Sequence, residues 1–168
     1  VNALERFAPL PLQEDYDNAG LQIGLTEAAI SGALLCLDVT EETVDEAIRK
    51  GCNLIVSHHP LIFRRLRRIA GEDMVQRVVA KAIVNHIVIV SMHTNMDAAQ
   101  GGVNFKIAEK MGLSHVGFIG KTRQAEAHGA SADADAMVAG GEGVMGEWDE
   151  PMAADDFIQM LKQTFGVE

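Results

Sequence analysis

The stretch 53-NLIVSHHPLIF-63 decides how this chain is read: a short apolar run, Asn53 to Ser57, meets His58-His59-Pro60. Pro60 has no N–H to give to a ladder, so the strand stops there. The two imidazoles then stand at the carboxyl end of a strand, the edge where open α/β sheets hold their ligands.

Working outward, Ala33 to Leu37 is a continuous apolar run, as expected for a strand buried on both faces. Thr40 opens a helical stretch: Thr43, Glu41, Glu42 and Asp45 suit a helix N-terminus and its dipole, and Gly51 is placed to end it. Asp73 to His86 has helical periodicity through Val75, Val78, Val79, Ala82 and Ile83, and Ile87 to Met92 (IVIVSM) is a third strand. A Gly-Gly at 101 and 102 precedes a helix near Val103 to Met111. This alternation predicts an α/β fold with a mostly parallel sheet covered by helices. Asn2 to Phe7 reads as the end of a helix stopped by Pro9 and Pro11. Gln13 to Gly20 reads as a loop, with Asp17, Asn18 and Gly20 as turn formers. Val116 to Ile119 is a candidate fourth strand. Gln124 to Gly141, rich in Ala, Asp and Gly, is either a weak helix or a flexible join. Gly143 to Trp148 is strand or turn, and Asp155 to Phe165 an amphipathic helix.

Composition removes whole function classes. Apolar residues are 48% of the chain and aromatics 5%, so the core is built from Val, Ile, Leu, Ala and Met. With 14 Lys and Arg against 24 Asp and Glu, the formal net charge is −10, which argues against a phosphate-backbone binder; no nucleic-acid partner is expected. One local exception is the run Arg64, Arg65, Arg67 and Arg68 directly after the histidines. It either holds an anionic substrate near a metal or is a solvated loop or inter-subunit salt-bridge patch. Cys36 and Cys52 have no paired spacing and read as small buried hydrophobes in a reducing compartment. No apolar stretch approaches the ~20 residues of a membrane span, and no secretory pattern is visible. A cytoplasmic protein without membrane contact is the expectation. The start at Val1, already in helical sequence, reads as missing some N-terminal residues.

Three of the expected strands end in polar residues that a core does not need: Asp38, the His58-His59 pair, and the His93 to Asp97 segment. Successive strand residues point to opposite faces, so adjacent histidines are poor ligands for a single ion. Two neighbouring ions, roughly 3.5 to 4 Å apart, account for the pair better. His93 and Asp97 are four apart and share a face if the segment turns helically. Asp97 reads as a ligand. For His93 three roles stay open: ligand, supporting partner of a ligand, or proton carrier. Duller readings exist for each residue taken singly. Asp97 can cap the following helix, Asp38 can cap the one starting near Thr40, and a lone His at a strand end is often structural.

The set DYDNAGLQIG (15 to 24), LIVSHHPLIF (54 to 63), HTNMD (93 to 97), GGVNFKIA (101 to 108) and GEGVMGEW (141 to 148) resembles the NGG-interacting-factor-like family, also called GTP cyclohydrolase I type 2 homologues. The resemblance implies the N-terminal part of a larger α/β fold, a toroidal homohexamer, and two divalent metal ions per subunit, with Zn, Fe and Mn not distinguished. Carried over, His58 and His59 each ligate a different ion and Asp97 joins His59 on one of them, with Asp38 and Asn104 as supporting partners behind the ligands. In the family a His and a Glu four residues later complete the site. This sequence has no matching segment, so it reads as an incomplete view of a longer protein. The implied division is a metal-binding α/β domain over 1–120, a low-complexity join over 121–142 where longer members carry an inserted domain, and the start of the second half over 143–168.

The leading function on this reading is a metal-dependent hydrolase acting on a nucleotide-like or heterocyclic small molecule, with His93 as proton shuttle. A ring-shaped scaffold that engages another protein is the alternative from a different class, and a di-iron oxidase a third. No P-loop or dinucleotide fingerprint is present.

Overall fold

The structure, a computed structural model, describes residues 1–126 and 137–168. In chain order the elements are α1 (Asn2–Phe7), β1 (Gly20–Ile23), β2 (Ala33–Cys36), α2 (Glu41–Arg49), β3 (Leu54–Ser57), α3 (Met74–Val84), β4 (Val88–Ser91), α4 (Thr94–Ala98) and α5 (Val103–Lys110). They are followed by β5 (Ser114–Phe118), β6 (Arg123–Glu126), β7 (Met137–Gly140), β8 (Val144–Glu147) and α6 (Ala154–Phe165). A four-stranded sheet runs in the order β1-β4-β3-β2; β2, β3 and β4 are parallel and β1 is antiparallel to β4.

The helices start where the sequence says they should. Thr40 caps α2 by accepting from the Thr43 backbone N–H, while the Thr43 hydroxyl answers the Thr40 backbone. Asp73 caps α3 through the Gln76 backbone N–H. Gly51, with φ +68°, takes the left-handed position that closes the α2 end.

One face of the sheet packs on α2 and α3, where Val44, Ile55, Val78 and Ile89 are fully buried. Each such side chain contributes about 1.5–3 kcal/mol by leaving water. The opposite face, centred on Val88, Val90 and Met92, is covered by Leu12, Ala98 and Ala125. The Ala33 to Leu37 strand does not have both faces buried. β2 is the sheet edge, and Leu35 and Leu37 are 77% and 59% exposed. An apolar run alone does not distinguish a central strand from an edge, because strand order follows from the connections.

Beyond α5 the chain builds two small antiparallel pairs, β5 with β8 and β6 with β7. The candidate fourth strand exists as β5, outside the main sheet. The Gln124 to Gly141 segment is strand at its two described ends, not helix, and its middle, 127–136, lies outside the described residues. Gly140 lies against the end of α4: Gly141 N–H donates to Ala98 O and Gln100 N–H to Ala139 O. Among the described residues no helix is long and apolar enough to cross a membrane.

Register aligns what the sequence separates. Cys36 lies beside Ser57 and Ser57 beside Ser91, so the three parallel strands finish level. Gly20, at the start of antiparallel β1, pairs with the same Ser91. The loop before β1 therefore reaches the same edge as the segments after β2, β3 and β4.

Candidate metal centre

At that edge His58, His59 and His93 converge, and one donor atom from each lies within 4.8 Å of the others. Ring centroids are 5.0 Å apart for His58 and His59, 5.2 Å for His58 and His93, and 5.7 Å for His59 and His93.

Each ring has its own anchor, and each anchor takes the same nitrogen. His58 Nδ1 lies 3.0 Å from Met92 O, His59 Nδ1 2.8 Å from Asp38 Oδ1, and His93 Nδ1 2.9 Å from Asp17 Oδ1. A carbonyl or carboxylate partner makes Nδ1 the protonated nitrogen and leaves the Nε2 lone pair free. This is how metal-ligating histidines are commonly oriented. The donor set present, three imidazoles and a nearby carboxylate, suits a divalent transition ion. Asp97 supplies that carboxylate, with Oδ1 3.9 Å from His58 Nε2.

The backbone around these side chains is pinned from below. The buried Ser57 and Ser91 hydroxyls lie 2.9 Å apart; Ser57 donates to His59 O at 2.9 Å, and Ser91 reaches the same carbonyl at 3.4 Å. Past Pro60, Ile62 is clasped by Asn18 Nδ2, which donates to its carbonyl at 2.6 Å, and by Gln22 Oε1, which accepts its N–H at 3.1 Å. His93 precedes α4, whose first turn closes with Asp97 N–H donating to His93 O, so the two residues do share a helical turn.

Asp17 is the most heavily engaged acid here. Its side chain is fully buried and accepts from His93, from the Thr94 backbone N–H at 3.1 Å, from the Thr94 hydroxyl and from the Asn18 N–H at 2.6 Å. Burial opposes its ionisation, but the bonds from the Thr94 hydroxyl, the His93 ring and the two backbone N–H groups outweigh that and hold its pKa below 3.8. Cys36 goes the other way: burial, then the Asp38 charge, push its thiol up.

The family model of Duf34/NIF3 (NGG1p interacting factor 3) matches residues 1–168, the whole chain. This chain belongs to the Duf34/NIF3 family. It is 34% identical over 168 residues to a GTP cyclohydrolase 1 type 2 homolog of Clostridium perfringens, covering 100% of this chain and 60% of the relative. Against the homolog of Clostridium acetobutylicum it is 30% identical over 167 residues, covering 99% and 58%. The crystal structure of Staphylococcus aureus protein SA1388 superimposes with a TM-score of 0.81 at 29% identity, covering 97% of this chain and 62% of that one. The chain thus spans about three fifths of the length of these Duf34/NIF3 relatives, and the fold described is a partial one.

Within this Duf34/NIF3 chain the structure brings His58, His59, His93 and Asp97 to one place, with Asp38 directly behind His59. Asp38 does not cap α2; Thr40 does. Nor does Asp97 cap α5, whose N-cap position is Gly102. Asn104 reaches the backbone of Asp97, donating to its carbonyl at 3.0 Å, and so ties α5 to α4 without touching the carboxylate. Asp17, read from sequence as a turn former, is the residue that sequence reasoning undervalued. Its partner lies 76 positions away, and only the antiparallel return of β1 brings them together.

Proposed function

We propose that this chain carries the metal-binding face of a dinuclear, metal-dependent hydrolase acting on a nucleotide-like or heterocyclic substrate. The observation that carries the reading is the common Nδ1 anchoring of three converging imidazoles. In support of two ions, the adjacent rings of His58 and His59 are tilted by 50° and tethered in different directions, one to the β4 end and one to Asp38 beyond β2. His58 and His59 would hold different ions and Asp97 would provide a carboxylate. Bound divalent ions would activate water and polarise the substrate. Asp17 fixes the tautomer of His93, which leaves His93 Nε2 to bind an ion or to take up and return a proton. The homohexamer implied by the sequence resemblance belongs to the same proposal; the bare apolar face of β2 at Leu35 and Leu37 supports burial against further protein.

Elemental analysis of the full-length protein and of its His59→Ala and Asp97→Ala variants tests this directly. The expected result is about two equivalents per subunit, falling sharply in both variants, with hydrolysis of a nucleotide or pterin panel lost in parallel. Protein that stays metal-free after reconstitution, or turnover indifferent to metal removal, refutes it.

A further inference from the structure

Directly after the histidines the chain makes no regular element until α3, yet residues 61–72 are not loosely held. Leu61 is buried in the core beneath α2 and α3, and Leu66 packs against the same cluster. Asn18 and Gln22 clasp Ile62. At the far end the buried Gln76 accepts from the Ala70 N–H at 2.9 Å and the Glu72 N–H at 3.3 Å. The loop is thus anchored at its start, its middle and its end, and what it holds outward are Phe63, Arg64, Arg65, Arg67 and Arg68.

These arginines are 4 of the 14 basic residues of a chain whose net charge is −10. Among the described residues only Arg68 has a carboxylate within 4.0 Å, Glu72 at 3.7 Å, and both partners are largely exposed. Arg64 and Arg65 line a cleft of about 360 Å³ with Phe63 and Leu66. The one carboxylate lining it, Asp73, is engaged with the Gln76 backbone N–H and side-chain amide. Phe63 also closes the distance to the metal centre: its half-exposed ring stands edge-on to His93, centroids 6.3 Å apart. Guanidinium groups carried by an anchored loop are suited to bidentate phosphate recognition, and on an acidic protein such a basic run is where an anion is drawn.

We infer that the loop Phe63 to Arg68 is the phosphate-recognition element of the site, taking a phosphorylated aromatic substrate with its phosphates on Arg64 and Arg65 and its ring along Phe63 toward the histidines. This rests on the hydrolase reading for the meaning of the word substrate, but not for the binding itself.

Calorimetric titration of the full-length protein with guanosine triphosphate, guanosine and inorganic tripolyphosphate tests it, in wild type and in the Arg64→Ala/Arg65→Ala double variant. Both arginines are exposed, so the variant is expected to fold. The expected result is a loss of about tenfold or more in triphosphate affinity, roughly 1.4 kcal/mol per factor of ten, with guanosine affinity and metal content unchanged. Added salt should weaken wild-type triphosphate binding and leave guanosine alone. Tripolyphosphate binding as tightly as the nucleotide overturns the placement of a ring along Phe63 and identifies free polyphosphate as the ligand of the arginines. The inference is overturned if wild type binds neither phosphorylated probe, or if the variant binds guanosine triphosphate as wild type does. A changed subunit count with unchanged affinity would likewise overturn it, assigning the patch to an interface. Metal-free protein that still binds triphosphate through the arginines would sink the hydrolase reading alone; metal-dependent turnover indifferent to the arginines would sink this inference alone.

Discussion

Replacing Asp17 by Asn keeps size and shape but exchanges one acceptor oxygen for a donor group, and the surroundings leave that group no good place. Oδ1 accepts from the Asn18 N–H and from His93, and Oδ2 from the Thr94 N–H and hydroxyl. If the new amide turns its NH2 toward Thr94, the Thr94 backbone N–H loses its acceptor. If it turns toward Asn18, that N–H is orphaned, and the amide donates to His93 Nδ1 in place of accepting from it. Either way a backbone donor loses its partner, part-buried at Thr94 or exposed at Asn18, and the remaining bonds lose their charge assistance, together at about 1–3 kcal/mol. The second orientation also drives His93 to the other tautomer and places its proton on Nε2, the atom the site needs free. The expected outcome is a destabilisation of about 1–3 kcal/mol in urea unfolding of the metal-free protein, with metal affinity down by about 10- to 100-fold. Nitrogen-15 chemical shifts of the imidazoles report the tautomer independently. If Asp17→Asn unfolds with the wild-type midpoint and binds metal with wild-type affinity, the anchoring role assigned to Asp17 is wrong.

The same residue sets an acid limit: because its folded pKa lies below 3.8, its contribution is fully present above that value and is lost as pH falls through the folded pKa. Urea midpoints of the metal-free wild type should therefore drop below about pH 4 more steeply than those of Asp17→Asn. A Cβ at Gly102 would stand 2.0 Å from Met96 O and 2.9 Å from Ala99 O, both backbone atoms. Gly102→Ala should cost on the order of 3 kcal/mol or more in thermal unfolding and disturb the α4 turn carrying Asp97. Ser57→Ala and Ser91→Ala should be non-additive, with a coupling of about 1 kcal/mol in a double-mutant cycle, since the two hydroxyls bond each other and share His59 O. Removing the α3 cap with Asp73→Ala should lower stability by about 1 kcal/mol without changing metal content.

Much of the fold was legible because its signals are local. Apolar runs ending in His-His-Pro and in Ser-Met-His mark strand ends, and Thr40, Asp73 and Gly51 punctuate the helices between them. Parallel strands joined by helical crossovers then bring Asp38, His58, His59 and His93 to one edge, so the candidate site followed from the topology. What was not legible depends on partners far along the chain. β1 is four residues, Gly20 to Ile23, with no alternation to announce it, and it exists by pairing with β4. Asp17 inherits its role from that pairing. The edge position of β2 and the short strands β6 and β7 are likewise decided by what lies beside them; Ala99, bridged to Gly140, is an example.

The anchoring of the rings also fixes the charge the site can hold. Asp17 and Asp38 stand behind the imidazoles, and Asp97 faces them, so three carboxylates of this chain surround a small volume. A monovalent cation leaves that volume strongly negative, and one divalent cation still leaves it negative. Each divalent cation bound there would cancel two of those charges and so weaken the repulsion of an anion at the same spot. Metal occupancy and attraction of a negatively charged molecule are therefore linked, and titrating metal should raise the affinity of this edge of the sheet for anions.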